Sequence, residues 1–525
     1  MGKYDTFFGD TFKKVRGMLA NDLNDLLIRT FNITPDNSRK LIQRKAESNV
    51  IGSTKPLTFG YGQFYYYDPQ FIPSREEIKE LLKERRPPVY RLLQLLDITG
   101  GAISFYEGLK ITSSPDESAN SKVSFLKDII IDLGKLRFVV ERSDEFGINY
   151  ILNRCEDEED YKLKMLRHRE NIQLDTVFNA DLMGWLLDAN IIATYGNFRS
   201  ASNPGFGVEH NNLFWDAFAY SKISGVNLRT ASESNTIQKQ TLVVLDIVIY
   251  RDYSLNDLNG FIARIQINNN SVKGEKRRSI PVIIYNKSDD HTINVAKKLG
   301  FLIFSLAKIY GSNINRLLVD IKATQTSINT SLADGVEAAL KKIDVSGQKA
   351  KLKNLRGILF EALMRPILES IYPNSQIFPS KLLKHPDKKM TREFDYIIVS
   401  SNPKELILVE LKGYAGNSYI RLGDSKTKGT LRYFFRGSIP LAKDYYKDDM
   451  ILESHLIKAI FITTGEYHSE CNDFIEASLK SSQIPSRMDS SICNGVAFMK
   501  LLKENNFDHE LNIVNQYYIR VDAEE

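Results

Sequence analysis

The residues best suited to chemistry lie at the ends of two neighbouring apolar segments in the last third of the chain. Asp395 precedes the first apolar segment, and the second ends in Glu410-Leu411-Lys412. Because side chains alternate along a strand, Glu410 and Lys412 share one face while Leu411 points to the other. A hairpin between the two segments would bring Asp395 close to that face. The spacing therefore predicts two carboxylates and one ammonium group in a single site.

The chemistry expected of this site follows from its charges. Two neighbouring carboxylates are costly unless a cation neutralises them. Ligands that are all oxygen atoms suit Mg²⁺ or Mn²⁺ better than zinc. A metal here would polarise a phosphate group and lower the pKa of bound water, while Lys412 would stabilise the charge that develops on the oxygens. The pattern therefore predicts metal-dependent hydrolysis of phosphodiester bonds.

The motif resembles the active site of the PD-(D/E)XK nuclease superfamily, which includes many restriction and repair endonucleases. The matching residues are Asp395, Glu410 and Lys412. Members of the family often add a glutamate from the preceding helix, and Glu361, in Gly357-Ile-Leu-Phe-Glu361, is the matching position. Phe394 stands where the family often has a proline. The resemblance covers about residues 350–470.

The resemblance implies a restriction-endonuclease-like mixed sheet flanked by helices, and a role for each matching residue. Asp395, Glu410 and the carbonyl of Leu411 would bind the metal. Lys412 would position and activate water, and Glu361 would orient the water or a second metal. Glu393, two residues before Asp395, is a competing candidate ligand.

Four basic residues follow the motif, namely Lys426, Lys428, Arg432 and Arg436. One interpretation is that they contact the phosphates of a nucleic acid. The other is an ordinary basic face in contact with solvent.

Residues 175–310 are interpreted as a second α/β domain, either an inactive copy of the same fold or an unrelated one. We expect a helix that holds Glu209 and Asp216, with its clearest part over 213–220, and a buried strand over 241–249 that holds Asp246. A further strand over 261–267 would place Arg264-Ile265-Gln266 where the second acid and the lysine should fall. Such a domain would grip DNA or another subunit rather than cut.

The remaining segments are expected to organise the molecule around these domains. Residues 1–72 contain an aromatic cluster over 59–67, suited to base stacking or to local packing. Residues 73–174 show helices followed by a hairpin, an α+β pattern that resembles a winged helix, a module that contacts DNA or protein. Residues 311–350 are interpreted as a helical connector, and 351–525 as the nuclease domain.

Composition narrows the class of protein. The chain has 525 residues, 42% of them hydrophobic, which is typical of a folded, soluble protein of several domains. Its net charge of +5 only weakly favours a polyanionic partner. Its three scattered cysteines and seven histidines suggest no zinc site. No apolar run is long enough for a membrane span, and a cytoplasmic location is the default expectation.

We therefore expect a Mg²⁺- or Mn²⁺-dependent endonuclease acting on DNA, in a role such as prokaryotic restriction or antiviral defence. Two alternatives stay open: a non-catalytic nucleic-acid-binding or assembly subunit with nuclease-like folds, and an RNase. A partner subunit or a homo-oligomer is compatible with each of them.

Overall fold

The computed structural model describes residues 2–115, 125–201, 203–221, 241–270, 279–311, 314–315, 317–319, 332–345, 352–385, 390–414, 418–447, 452, 454–479 and 482–519. The chain divides into two compact units. Unit 1 comprises Met1–Ile172, Gly196–Arg199 and Gly205–Ile303, and unit 2 comprises Gln173–Tyr195, Ser200–Pro204 and Phe304–Glu525. The five-part division expected from the sequence is finer than this and stays a prediction.

The first segment of unit 1 folds as a helix, a strand, two helices and two strands. These are α1 (Lys3–Lys14), β1 (Gly17–Leu19), α2 (Ala20–Phe31), α3 (Pro35–Glu47), β2 (Gly52–Ser53) and β3 (Tyr65–Tyr67). Strand β3 lies between β1 and β2 and is antiparallel to both. Phe59 and Tyr66 are buried, so much of the aromatic cluster serves local packing, whereas Tyr61 is fully exposed.

The second segment of unit 1 repeats this order of elements after one additional helix. It consists of α4 (Arg75–Arg85), α5 (Pro87–Ile98), β4 (Ala102–Ser104), α6 (Phe105–Thr112), α7 (Leu126–Lys135), β5 (Val139–Ser143) and β6 (Asn149–Asn153). The expected hairpin is present as β5–β6, and β6 lies between β4 and β5. In both segments the third strand is central. Unit 1 therefore begins with two copies of one topology, a repeat that the sequence did not reveal.

The rest of unit 1 contains a five-stranded sheet. The elements in this part of the chain are α8 (Glu158–Leu174), α9 (Asn179–Asp188, in unit 2), β7 (Asn197–Phe198), β8 (Val208–His210), β9 (Leu213–Trp215), β10 (Ala217–Ser221), β11 (Thr241–Tyr253), α10 (Leu255–Asn270), β12 (Ser279–Ser288), α11 (Asp290–Lys298) and β13 (Leu302–Ser305). The sheet order is β13-β12-β11-β10-β7, with β10 antiparallel and β12 parallel to β11.

Two sequence predictions in this region are wrong. The helix expected over 213–220 is instead the strands β9 and β10, because a short run of aromatic and apolar residues fits a strand as well as a helix. The strand expected over 261–267 lies inside helix α10. There Leu258, Phe261 and Ile265 recur every three or four residues and pack into one core, which is the period of a helix.

Unit 2 continues with α12 (Leu306–Tyr310) and is built around a second five-stranded sheet. Its further elements are α13 (Leu332–Val345), α14 (Lys353–Ile371), β14 (Gln376–Lys384), β15 (Thr391–Ser401), β16 (Lys404–Lys412), β17 (Tyr419–Ile420), α15 (Leu431–Tyr433), α16 (Ile439–Tyr445), β18 (Leu456–Thr463), β19 (Glu466–Tyr467), α17 (Asn472–Leu479), β20 (Ile492–Cys493), α18 (Gly495–Glu504) and α19 (Asp508–Val514). The sheet order is β14-β15-β16-β18-β20, with the first three strands antiparallel and the last three parallel.

The architecture thus agrees with the expected α/β class, with mixed sheets in both units. Among the helices in the described part of the chain, none combines the length and the apolar character needed to cross a bilayer.

Candidate active site

The strand register of unit 2 brings the two predicted acids together. Strands β15 and β16 pair so that the residue after Asp395 lies opposite the residue before Glu410. The backbone N–H of Leu411 donates a hydrogen bond to Asp395 Oδ2 at 2.6 Å. Asp395 is thereby fixed beside the end of the neighbouring strand, where Glu410 also lies.

Lys412 completes this group. Its Nζ atom lies 2.7 Å from Glu410 Oε1 and 3.9 Å from Asp395 Oδ2. It also donates a hydrogen bond to the carbonyl oxygen of Leu411 at 3.0 Å. The side chains of the three ionisable residues are 12–17% exposed, so the group is largely buried but open to solvent. The structure brings together the predicted acids, the predicted lysine and the Leu411 carbonyl.

Glu361 reaches the same site from helix α14. The hydroxyl of Tyr396 donates to the backbone carbonyl of Glu361 at 2.9 Å, which fastens the helix to strand β15. Burial, and next the Asp395 carboxylate, raise the pKa of Glu361 well above its usual range, while Lys412 opposes the shift.

The site has more carboxyl groups than ammonium groups. Burial raises the pKa of Asp395, and it raises the pKa of Glu410 to about 7, although Lys412 opposes both shifts. Burial alone would lower the pKa of Lys412, but Glu410 and Asp395 raise it. One ammonium group is therefore shared among several carboxyl groups, since Glu393 also raises the pKa of Glu410.

These donors fit a hard divalent cation. Two carboxylates and a backbone carbonyl supply the oxygen ligands that Mg²⁺ and Mn²⁺ prefer. The raised carboxyl pKa values follow mainly from burial, and a bound cation would oppose them. Within the described residues, no three His, Cys, Asp or Glu side chains already form a closed metal-holding group. In this arrangement the Lys412 ammonium lies between the carboxylates.

The four basic residues after the motif fall into two kinds. Lys426 and Lys428 are exposed on a loop that passes close to the site. Gly429, the next residue after Lys428, is so near that a side-chain Cβ atom at this position would lie 3.9 Å from Lys412 Cε. Arg432 is half-buried and donates to the carbonyl of Gly423 at 3.4 Å, which gives it a structural contact.

The fourth basic residue, Arg436, is exposed, with its guanidinium 5.7 Å from the centre of the Phe474 ring. The two lysines are thus the members of the set best placed to meet a substrate at the site.

Unit 1 contains the same local strand arrangement. As in unit 2, an antiparallel pair of strands is followed by a parallel neighbour. In unit 2 the residue after Asp395 pairs with the residue before Glu410, and in unit 1 the residue after Asp216 likewise pairs with the residue before Asp246. Asp216 therefore corresponds to Asp395, and Asp246 to Glu410.

A shared hydrogen bond supports this correspondence. The backbone N–H of Ile247 donates to Asp216 at 2.7 Å, just as that of Leu411 donates to Asp395 at 2.6 Å. Val248 stands where unit 2 has its lysine.

Lys110, from helix α6, supplies the missing ammonium group. Its Nζ atom lies 2.6 Å from Asp216 and 3.2 Å from Asp246, and it donates to the carbonyl of Ile247 at 2.8 Å. Arg199 pairs with Asp216 at 3.0 Å, and Arg264 with Asp246 at 2.5 Å. All the ionised side chains are buried. Burial would raise the pKa of Asp216, but Lys110 and Arg199 hold it below its usual range.

The structure corrects the sequence interpretation of this region. Glu209 and Asp216 lie on and beside short strands rather than on a helix. The position equivalent to Glu410 is Asp246, not the segment Arg264-Ile265-Gln266, which lies in helix α10. Sequence reasoning also missed Lys110, because a lysine on a short helix carries no signal for a partner more than a hundred residues away.

No protein-family model, no curated protein and no solved structure matches the chain.

Proposed function

We propose that unit 2 is a Mg²⁺- or Mn²⁺-dependent endonuclease that hydrolyses phosphodiester bonds of DNA. The observation that carries the proposal is the convergence of Asp395, within β15, with Glu410 and Lys412 at the end of β16, and with the Leu411 carbonyl beside them. Asp395, Glu410 and that carbonyl would hold the metal. When bound, such a metal polarises the phosphate and lowers the pKa of water.

The residues of the chain have separate roles in this proposal. Lys412 Nζ donates hydrogen bonds to the attacking water or to a phosphate oxygen as negative charge develops there. Glu361 orients the water from the helix side. The hydrogen bond from the Leu411 N–H keeps Asp395 in place, so that its carboxylate does not have to be reordered when substrate binds. Lys426 and Lys428 contact the phosphates next to the scissile bond.

The Asp216–Asp246 site of unit 1 is proposed to be an inactive copy. Lys110 contacts the same kinds of atoms as Lys412 does: the two acids and the intervening carbonyl. Because two further cations and full burial accompany it, neither a metal nor a substrate would have access. In this view unit 1 contributes binding rather than cleavage. A role in restriction or antiviral defence is an analogy with the superfamily that the motif resembles.

The test is cleavage of plasmid DNA by the full chain with Mg²⁺. We expect Lys412→Ala and Asp395→Ala to lower the rate by about 10²-fold or more. The matched control is Lys458→Ala. Lys458 is a similarly buried lysine on the adjacent strand, 3.8 Å from Glu405 and near the opposite end of the sheet, so its removal should leave the rate unchanged.

Three outcomes separate the candidate functions. Cleavage that survives in folded Lys412→Ala protein rejects this site as the catalytic centre. Cleavage of RNA but not of duplex or single-stranded DNA identifies an RNase. Binding of nucleic acid without cleavage under any metal identifies a non-catalytic subunit.

A further inference from the structure

We propose that helix α3 and the loop 54–64 form a surface that reads duplex DNA, with α3 in the major groove. This inference deepens the proposed function, because it supplies the surface that would select the substrate. It is tested separately, since binding can be measured without cleavage.

Helix α3 presents a polar, basic face to solvent. Asn37, Arg39, Lys40, Gln43 and Arg44 are all exposed along its thirteen residues, together with the acidic Asp36 and Glu47. Arg39 lies 3.8 Å from Asp36, and the side-chain amide of Gln43 donates to Glu47 at 2.8 Å. Lys40 and Arg44 have no ion-pair or hydrogen-bond partner for their side chains among the described residues, so both can bind phosphate. A helix with its side chains is about 10–12 Å wide, close to the width of the DNA major groove. Arginine, asparagine and glutamine are the side chains that pair with base edges there.

The position of α3 is fixed by its packing on α2. Ser38 and Ile42 are buried on the inner side of α3, and the Ser38 hydroxyl donates to the carbonyl of Asn24 at 3.3 Å. Thr34 caps the N-terminus of α3, and Pro35 occupies its first turn. Because these contacts use only the inner side, the exposed side is free to enter a groove without rearranging the fold.

A cleft separates α3 from the loop 54–64. Its volume is about 650 Å³, and its walls include Asn21 at the start of α2, Arg39 and Gln43 on α3, and Tyr61 and Gln63 on the loop. Gln63 is 9% exposed, and its side chain lines the cleft. Amide donors of this kind contact phosphate and sugar oxygens in protein–DNA complexes.

Tyr61 supplies a second, independent indication of a ligand. It is fully exposed, and it has a φ of 47° between Gly60 and Gly62, whose φ values are also positive. A bulky residue in the left-handed region is strained, and such strain is common at ligand-binding positions. The turn holds an aromatic ring outward at the edge of the cleft, where it would contact the DNA backbone next to the groove.

The second copy of the topology provides an internal comparison. Its equivalent helix, α7, has Lys127 and Lys135 balanced by Asp128 and Asp132. The turn between β5 and β6 is acidic, with Asp144-Glu145. Helix α3 has four basic residues against two acidic ones, so its excess of positive charge is not a necessary consequence of the topology. DNA contact is therefore proposed for the first copy, whereas the sequence left contact with DNA or with protein open for the segment 73–174.

The experiment measures binding of the full chain to a fluorescent duplex of mixed sequence, in EDTA so that no metal supports cleavage. The variant Lys40→Ala/Arg44→Ala should bind at least about 10-fold more weakly at moderate salt. It should also reduce the slope of log affinity against log salt by about 2, because two phosphates are no longer neutralised. The matched control is Lys127→Ala/Lys135→Ala on α7, which should change neither quantity. Circular dichroism checks that these surface variants stay folded.

Two further variants test the recognition of bases. Gln43→Ala should relax the preferred sequence recovered from a random duplex pool, and Tyr61→Ala should weaken binding to all sequences alike. The proposal is overturned if Lys40→Ala/Arg44→Ala binds the duplex with the same affinity and the same salt slope as the wild type. It is also overturned if the α7 control loses as much affinity as this variant does, or if the wild type binds single-stranded RNA more tightly than duplex DNA. If the protein binds duplex DNA as expected but does not cleave plasmid DNA, the nuclease proposal is rejected and the proposed DNA-binding surface is kept.

Discussion

At the scale of single residues, the site in unit 2 depends on carboxyl groups that burial keeps from ionising easily. Glu410 is the clearest case, because its pKa is raised to about 7 even though Lys412 lies 2.7 Å away. A metal ion would supply the positive charge that one ammonium cannot. The raised pKa of Glu410 is therefore the electrostatic signature of a buried carboxyl group.

This signature predicts how stability changes with pH. At low pH Glu410 is neutral in both the folded and the unfolded chain. As the pH rises from about 4.5 to about 7, the unfolded chain ionises while the folded site keeps its proton, so the free energy of unfolding falls. The loss is at most about 3 kcal/mol. Urea unfolding in EDTA at pH 5 and pH 7.5 measures it.

The variant Glu410→Gln should remove part of this loss, and added Mg²⁺ should reduce it in the wild type. The control is Glu369→Gln, an exposed glutamate of helix α14 that pairs with Arg365. It should keep the full pH dependence. If Glu410→Gln keeps the same pH dependence of unfolding as this control, the surroundings of Glu410 do not disfavour its ionised form.

At the scale of elements, the buried ion pairs of unit 1 join pieces of the fold that are distant in sequence. Asp216 receives hydrogen bonds from Tyr106 and Lys110 of α6 and from the backbone of Ile247 in β11, and it pairs with Arg199. Removing one partner from such a group leaves buried charge without compensation.

We expect Asp216→Ala to destabilise unit 1 by about 3–5 kcal/mol. Lys110→Met should cost less, because Arg199 and Arg264 still balance the two carboxylates. Asp252→Ala, an exposed aspartate on the same strand β11, should change stability by no more than about 0.5 kcal/mol. Chemical denaturation checks the order of the three variants. A loss for Asp216→Ala as small as for Asp252→Ala would contradict the proposed network.

The sequence predicted elements well where one local signal dominated. The apolar period of residues 353–371 predicts a helix, and the apolar run of residues 456–463 predicts a strand. The structure has helix α14 over Lys353–Ile371 and strand β18 over Leu456–Thr463. The grouping of the site residues could be predicted in the same way, because side chains alternate along β16 and so Glu410 and Lys412 share one face. The predictions for the segments 213–220 and 261–267 were wrong, because a short apolar run fits the period of a helix as well as that of a strand.

Contacts between segments that are distant in the chain could not be predicted from the sequence. The ammonium of Lys110 reaches Asp246 only because the fold brings α6 to β11. The repeated topology at the start of unit 1 was hidden for a similar reason. Its strands are two to five residues long, too short for a periodic signal.

At the scale of the whole molecule, the chain offers one tryptophan reporter for each unit. It has two tryptophans, Trp215 in unit 1 and Trp185 in unit 2. Two compact units need not unfold in one step. A change of stability can therefore be assigned to a unit by observing one tryptophan at a time.

In a Trp185→Phe background, fluorescence reports unit 1 alone. We expect Asp216→Ala to lower the urea midpoint of that signal and Mg²⁺ to leave it unchanged. Calorimetry of the wild type should show a separate transition that Mg²⁺ shifts, by about 2.7 kcal/mol at 100 times the dissociation constant. A magnesium-dependent shift of the Trp215 signal would mean either that the metal binds unit 1 or that the units unfold together.

The hydrogen bond from a main-chain N–H to the first aspartate, common to both sites, has an evolutionary consequence. Any residue but proline can donate it, so substitution of the following side chain does not abolish it. During evolution the reactive side chains can be replaced one at a time while this hydrogen bond continues to hold the two strands in register. Duplicated enzymes built on this plan would therefore leave well-folded, inert descendants, free to acquire other roles.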